Sequence, residues 1–145
     1  MTTLAQRLEQ DGVIVHTNKG TSMMPLLREN RDLMVIRKRG AGRFKKYDAV
    51  LFRRHNGDYV LHRILRVNPD SYWIVGDNCI SGETVAEEQI MGILTEIVRD
   101  GRTIHVTDKG YRIFVRVWCA LFPLRSFRLR CIRLLRAVWG KITGR

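Results

Sequence analysis

The last 35 residues of this 145-residue chain contain no aspartate and no glutamate. From Tyr111 to Arg145 stand nine lysines and arginines, so most of the net +12 charge is in this tail and the first 110 residues carry only +3. A segment that cannot neutralise itself calls for an anionic partner: lipid head groups, an acidic protein face or nucleic acid. The chain also lacks any run of about 18 apolar residues, which predicts no spanning helix. The first residues, MTTLAQRLEQDG, have no apolar h-region, so no signal peptide is expected. Cysteine is scarce and odd in number, at positions 79, 119 and 131, with no CxxC or Cys/His spacing of a zinc site. This predicts reduced thiols, no metal, no cofactor and a cytoplasmic setting.

The hydrophobic content, 45%, is enough for one core. Thr2 or Thr3 caps a short helix reaching Gln10, with Leu4 and Leu8 on one face and Gly12 as its stop. Short apolar, β-branched runs follow at Val13–His16, Leu33–Arg37, Ala49–Arg53, Tyr59–Val67, Ser71–Val75, Ile90–Arg99 and Thr103–Val106. Turn chemistry separates them: HNGD before Tyr59, NPD before Ser71, and Asp100-Gly101 as a type I′ signal. Gly40–Tyr47 and Gly76–Glu83 read as loops. The expected fold is mainly β, antiparallel, with about seven strands over residues 1–110. Residues 111–145 form a basic amphipathic helical tail. It is helical in period from Tyr111 to Phe122 and from Leu124 to Gly140, with a break at Pro123.

One loop carries a candidate nucleophile: Ser22 in GTSMMPLL. A serine hydroxyl needs a positioned base. His62, in the strand YVLHRIL, lies between Val60 and Ile64 on one strand face. Apolar neighbours desolvate its ring and favour the neutral, base-competent form. His16, His55 and His105 have no such context. Arg63 is expected to pair with an acidic residue, and Cys79 to be a small buried side chain.

Three blocks stand in order: GTSMMP, then YVLHRI about forty residues on, then GDN about fifteen further. Together with RDLMVI and KKYDAVLF, they resemble the signal peptidase / LexA-like serine protease superfamily over roughly Val13 to Val98. Histidine at position 62, where many members carry lysine, is similar to the Ser-His branch of ER-type and archaeal signal peptidases. The resemblance implies a signal-peptidase-like β fold, Ser22 as nucleophile and His62 as general base. It also implies a carboxylate that orients the histidine: Glu83, at the place of the branch's orienting Asp, or Asp77 of the GDN block. Gly20 stands two before the nucleophile, where many signal peptidases have a hydroxyl. The Ser22 backbone N–H is then the expected oxyanion donor, with Thr21 as helper. Met23, beneath the nucleophile, and Pro25, at the loop exit, are substrate-cleft candidates. The implied activity is a serine endopeptidase acting on a leader or signal-type peptide or preprotein. The alternative is a non-catalytic peptide-binding or membrane-surface adaptor.

Signal peptidases of that superfamily are usually anchored by a spanning helix, and no such helix is expected here. The tail instead offers Arg125, Arg128, Arg133, Arg136 and Trp139 to an anionic membrane surface, which places the body at the inner membrane face. The competing reading packs the tail on the body or on a partner protein. The absence of a DNA-binding module ahead of the β body disfavours nucleic acid.

Overall fold

A computed structural model describes residues 3–143. Thr2, the alternative cap, and Arg145, the last cation of the tail, lie outside them. The first helix, α1 (Leu4–Asp11), is capped by Thr3, whose hydroxyl accepts from the Gln6 amide while the Gln6 side chain accepts from the Thr3 amide. Gly12 closes it in the left-handed region, at φ 71°, where a side chain would be strained.

Eight strands follow: β1 (Val13–Thr17), β2 (Leu33–Lys38), β3 (Ala49–Arg53), β4 (Tyr59–Val67), β5 (Ser71–Val75), β6 (Gly82–Ala86), β7 (Ile90–Arg99) and β8 (Arg102–His105). All pair antiparallel in the order β1-β2-β7-β3-β4-β5-β6, with β8 on β7. β6 departs from the expectation of a loop running to Glu83. Its sequence, GETVA, is poor in strand formers, but it pairs in register with β5, placing Glu83 opposite Ile74 and Gly82 opposite Val75. The strand Val75 edge and the Trp73 ring leave no room at Gly82 for a Cβ, which would stand 2.7 Å from each. Tertiary pairing overrides local preference here. Asp100 and Gly101 both take positive φ, 49° and 76°, as a type I′ turn requires.

β7 is the hub. It pairs with β3 at its start, with β2 along its length and with β8 at its end. Register shifts at Val35/Ile36, Leu51/Phe52 and Ile64/Arg66 bend the sheet so that it encloses apolar side chains on both faces. β3 divides them by strand alternation. Ala49 and Leu51 join Leu8, Ile36, Leu94 and Ile97, whereas Val50 and Phe52 join Ile64, Tyr72, Ile74 and Ile90.

Two helices end the chain, α2 (Lys109–Ala120) and α3 (Phe122–Thr143). The break falls at Leu121 rather than at Pro123. Pro123 has no N–H for the Cys119 carbonyl, so the helix is interrupted just upstream, at Leu121, and the proline sits in the first turn of α3 where its missing donor costs nothing. α2 packs on the body through Val115, which is buried, and through Tyr111 and Phe114. The apolar stripe of α3 does not: Leu124, Phe127, Leu134, Leu135, Val138 and Ile142 are all exposed. Among the described residues no helix is long and apolar enough to cross a membrane.

Candidate active site

The loop from Asn18 to Asp32 carries Ser22 and is tied at its base. Asn18 bonds the Asp32 carbonyl and the Asn30 amide through its backbone, and the Gly20 and Leu27 carbonyls through its side chain. The Asp32 carboxylate is fully buried between Arg28 and Arg99. Burial raises its pKa, but the hydrogen bonds from Arg99 and Arg28 outweigh that and hold it at about 2. Gly20 adopts φ 87°, which only glycine takes without strain, and donates its N–H to Glu29 at 2.9 Å. This turn brings Ser22 to a cleft of about 590 Å³.

His62 lines the same cleft from β4. The residue is 7% exposed, and its ring meets the edge of Phe52 at a centroid distance of 6.1 Å. Nδ1 is fully buried and has no hydrogen bond. Its nearest anionic neighbour is Glu83, whose Oε1 lies 3.7 Å away, an ion-pair contact too long for a hydrogen bond. Burial lowers the His62 pKa. Glu83 opposes this, while Arg54 reinforces it. The ring is therefore neutral at pH 7 and able to take a proton.

The meeting point of the two elements is marked by Gly76. A Cβ there would stand 2.7 Å from Cys79 Sγ, 2.8 Å from the Ser22 carbonyl oxygen and 2.9 Å from His62 Nε2. All three converge on a space that only glycine leaves open. Nε2, not Nδ1, is thus the ring nitrogen on the Ser22 side. No hydrogen bond joins Ser22 Oγ to the ring, and the Ser22 backbone N–H has no acceptor among the described residues. Catalytic hydrogen bonds commonly close only when substrate is present. The free N–H is what an oxyanion donor requires.

No protein-family model matches this chain, and no curated protein does.

The two candidate orienting carboxylates occupy different places. Glu83 faces His62 Nδ1. Asp77 turns away and forms a bidentate pair with Arg63, both bonds 2.7 Å, in which Arg63 is wholly buried. Arg63 also donates to the Tyr47 carbonyl and the Tyr111 hydroxyl. The cleft candidates Met23 and Pro25 stand in different surroundings. Met23 is 1% exposed in the core and Pro25 points outward, and neither lines the cleft. Thr21 is exposed, and its carbonyl accepts from Met24 N–H and from the Asn78 side chain. Arg125, expected among lipid-facing cations, is drawn into the body. It donates to the Asp77 carbonyl and lies 4.0 Å over the Trp118 ring. Arg128, Arg133, Arg136 and Trp139 are exposed.

Four positions at the candidate site escaped the sequence reading. Asn78 donates its backbone N–H to the Ser22 carbonyl at 2.8 Å and its side chain to the Thr21 carbonyl at 3.2 Å, lashing the two loops together. Its signal was the third letter of GDN. Gly76, the first letter, is the spacer between His62 and the Ser22 loop. Arg54 holds both oxygens of Glu83 at 2.5–3.2 Å. His16 lines the cleft, its Nδ1 paired with the Thr17 carbonyl at 2.7 Å. Nothing in sequence marked these last two. Among the described residues no group of three or more His, Cys, Asp or Glu side chains could hold a metal ion.

Proposed function

We propose that this chain is a signal-peptidase-like serine endopeptidase that cleaves a leader or signal-type peptide. The observation that carries the reading is the convergence of the Ser22 loop and His62 Nε2 on the space beside Gly76, with Glu83 on the far side of the imidazole. In this reading Ser22 Oγ attacks the scissile carbonyl and its proton passes to His62 Nε2. The Ser22 N–H receives the oxyanion, and Glu83 steadies the imidazolium. Collapse of the tetrahedral intermediate breaks the peptide C–N bond, with the proton returned to the leaving amine. A water, deprotonated by the same nitrogen, then releases the acyl group from Ser22.

Cys79 is the competing nucleophile, and its surroundings argue against it. Burial raises its thiol pKa and leaves it protonated at pH 7. A fluorophosphonate probe tests the assignment. Wild type and Cys79→Ala are expected to be labelled, whereas Ser22→Ala and His62→Ala are not. An unlabelled wild type, or a label that survives Ser22→Ala, removes the serine mechanism.

A second reading concerns the tail and rests on the exposed stripe of α3. Leu134 and Leu135 are 67% and 68% exposed, and Arg128, Arg133 and Arg136 are exposed on the same helix. Surface helices usually bury such a stripe. A like-charged second copy of the tail would repel it, while anionic lipid satisfies both its apolar and its cationic side chains. The body would then act at the cytoplasmic face of a membrane.

A further inference from the structure

The peptide unit joining Asp77 to Asn78 is gripped from both sides. On one side its carbonyl oxygen accepts two hydrogen bonds from the C-terminal helices: Trp118 Nε1 from α2 at 2.9 Å and Arg125 Nη1 from α3 at 2.5 Å. On the other side its N–H donates to the Ser22 carbonyl at 2.8 Å. One rigid plane therefore connects the α2–α3 elbow to the nucleophile loop. Rotating it to release either side breaks both.

The elbow is built to present those two donors. The interruption at Leu121 turns the chain, so that Arg125 folds back over the Trp118 ring at 4.0 Å and donates Nη2 to the Trp118 carbonyl at 3.0 Å. Trp118 stacks on Phe114 at 5.9 Å, and Phe122 meets Trp73 of β5 edge-on at 6.0 Å. Burial lowers the Arg125 pKa, and the nearby Asp77 charge opposes this. A partly desolvated guanidinium on a carbonyl makes a strong hydrogen bond, and it polarises the amide so that the N–H opposite donates more strongly.

We propose that Trp118 and Arg125 are positioning residues for the Ser22 site, acting through the Asp77–Asn78 peptide. The C-terminal helices are thus part of the site's scaffold. The proposal rests on the serine-endopeptidase reading for its effect on rate, but its geometric half is independent of that reading.

Two measurements on the full chain test it. The first is amide hydrogen exchange at Asn78 in wild type, Trp118→Phe and Arg125→Ala. Trp118→Phe keeps the ring under the guanidinium and removes only the donor. The second is fluorophosphonate labelling, separated into probe binding and maximal rate, with Arg125→Lys as the conservative variant. Exchange at Asn78 is expected to rise in both variants. The maximal labelling rate is expected to fall about ten- to a hundredfold with probe binding unchanged. Lysine, which reaches one of the two acceptors, recovers part of the rate. Trp118→Phe separates this from general destabilisation: an unfolding midpoint close to wild type with a lost labelling rate is the signature expected. Unchanged exchange at Asn78 overturns the clamp. Raised exchange with an unchanged labelling rate overturns its positioning role. A wild type that takes no label at all removes the enzyme reading instead, and the exchange result then decides the clamp by itself.

Discussion

Glu83 lies 3.7 Å from Nδ1 of His62, yet both of its oxygens are bonded to Arg54. The carboxylate is shared between a cation and the imidazole, and Arg54 holds its pKa below the usual carboxylate range. The two partners shift the histidine in opposite directions: Glu83 raises its pKa and Arg54 lowers it. Glu83→Gln is expected to move the acidic limb of the labelling-rate profile to lower pH and to slow the plateau by about 10²-fold, a general-base-sized loss. Arg54→Ala frees the carboxylate and moves the limb to higher pH. Limbs that move the same way in both variants would rule out this arrangement.

Folding stability has two pH windows. The folded His62 pKa lies below its ordinary 6.5, with burial the main cause. Its contribution is complete above 6.5 and is lost as pH falls through the depressed value, because the unfolded chain binds the proton first. Asp32, held at about 2 against an ordinary 3.8, stabilises above 3.8, and that contribution is lost as pH falls toward 2. Unfolding midpoints should therefore decline in two stages on acidification. His62→Gln is expected to flatten the first stage, and a midpoint curve identical to wild type between pH 7 and pH 5 would contradict it.

Asp77 and Glu83 should fail differently. Asp77→Asn leaves the buried Arg63 without its carboxylate, a loss of about 3–5 kcal/mol for an orphaned buried charge. The unfolding midpoint is expected to drop by about 10 °C. Arg63→Met combined with Asp77→Asn should cost less than the two changes summed, since each residue is harmful mainly without the other. Glu83, one-third exposed, should cost rate with little stability. Additive effects at positions 63 and 77 would mean that the pair is not coupled.

Gly76→Ala places a methyl against the Ser22 carbonyl, His62 Nε2 and Cys79 Sγ, all closer than 3.0 Å. Labelling should be lost while the circular dichroism spectrum stays that of a β protein. Adding Cys79→Ala relieves only the sulfur contact, so the double variant should remain inactive. Recovery in the double variant would place the obstruction at the thiol and not at the Ser22 loop.

Leu134→Asp with Leu135→Asp tests the tail. Both positions are exposed, so the unfolding midpoint should not change. Flotation with vesicles containing anionic lipid should be abolished. Wild type should bind those vesicles, ignore purely zwitterionic ones, and release as salt rises, since each headgroup contact is worth about 1 kcal/mol and is screened. Equal flotation by wild type and variant would exclude the apolar stripe as the contact.

Strands β3, β4, β5 and β7 were legible in sequence because hydrophobic alternation and Asn-Gly or Asp-Gly turns act locally. β6 was not, because GETVA is a strand only by virtue of its pairing with β5. The boundary between α2 and α3 was displaced from Pro123 to Leu121, since a proline disrupts the turn before it. In the candidate site, His62 stood out by local context, and Ser22 by the order of the three blocks rather than by its own loop. Arg54 and His16 did not, because nothing near them in the chain records what they face across the sheet.

The sequence by itself determined the antiparallel β body and the basic tail. Both follow from side-chain type and short-range spacing. Only the tertiary structure set the two carboxylates apart. Bidentate burial commits Asp77 to Arg63, and the register of β6 delivers Glu83 to the imidazole. It also decided the fate of Arg125, which is drawn from the tail onto the Asp77 carbonyl. Which face a side chain meets depends on contacts between distant segments, and those are settled only when the sheet closes and the helices dock.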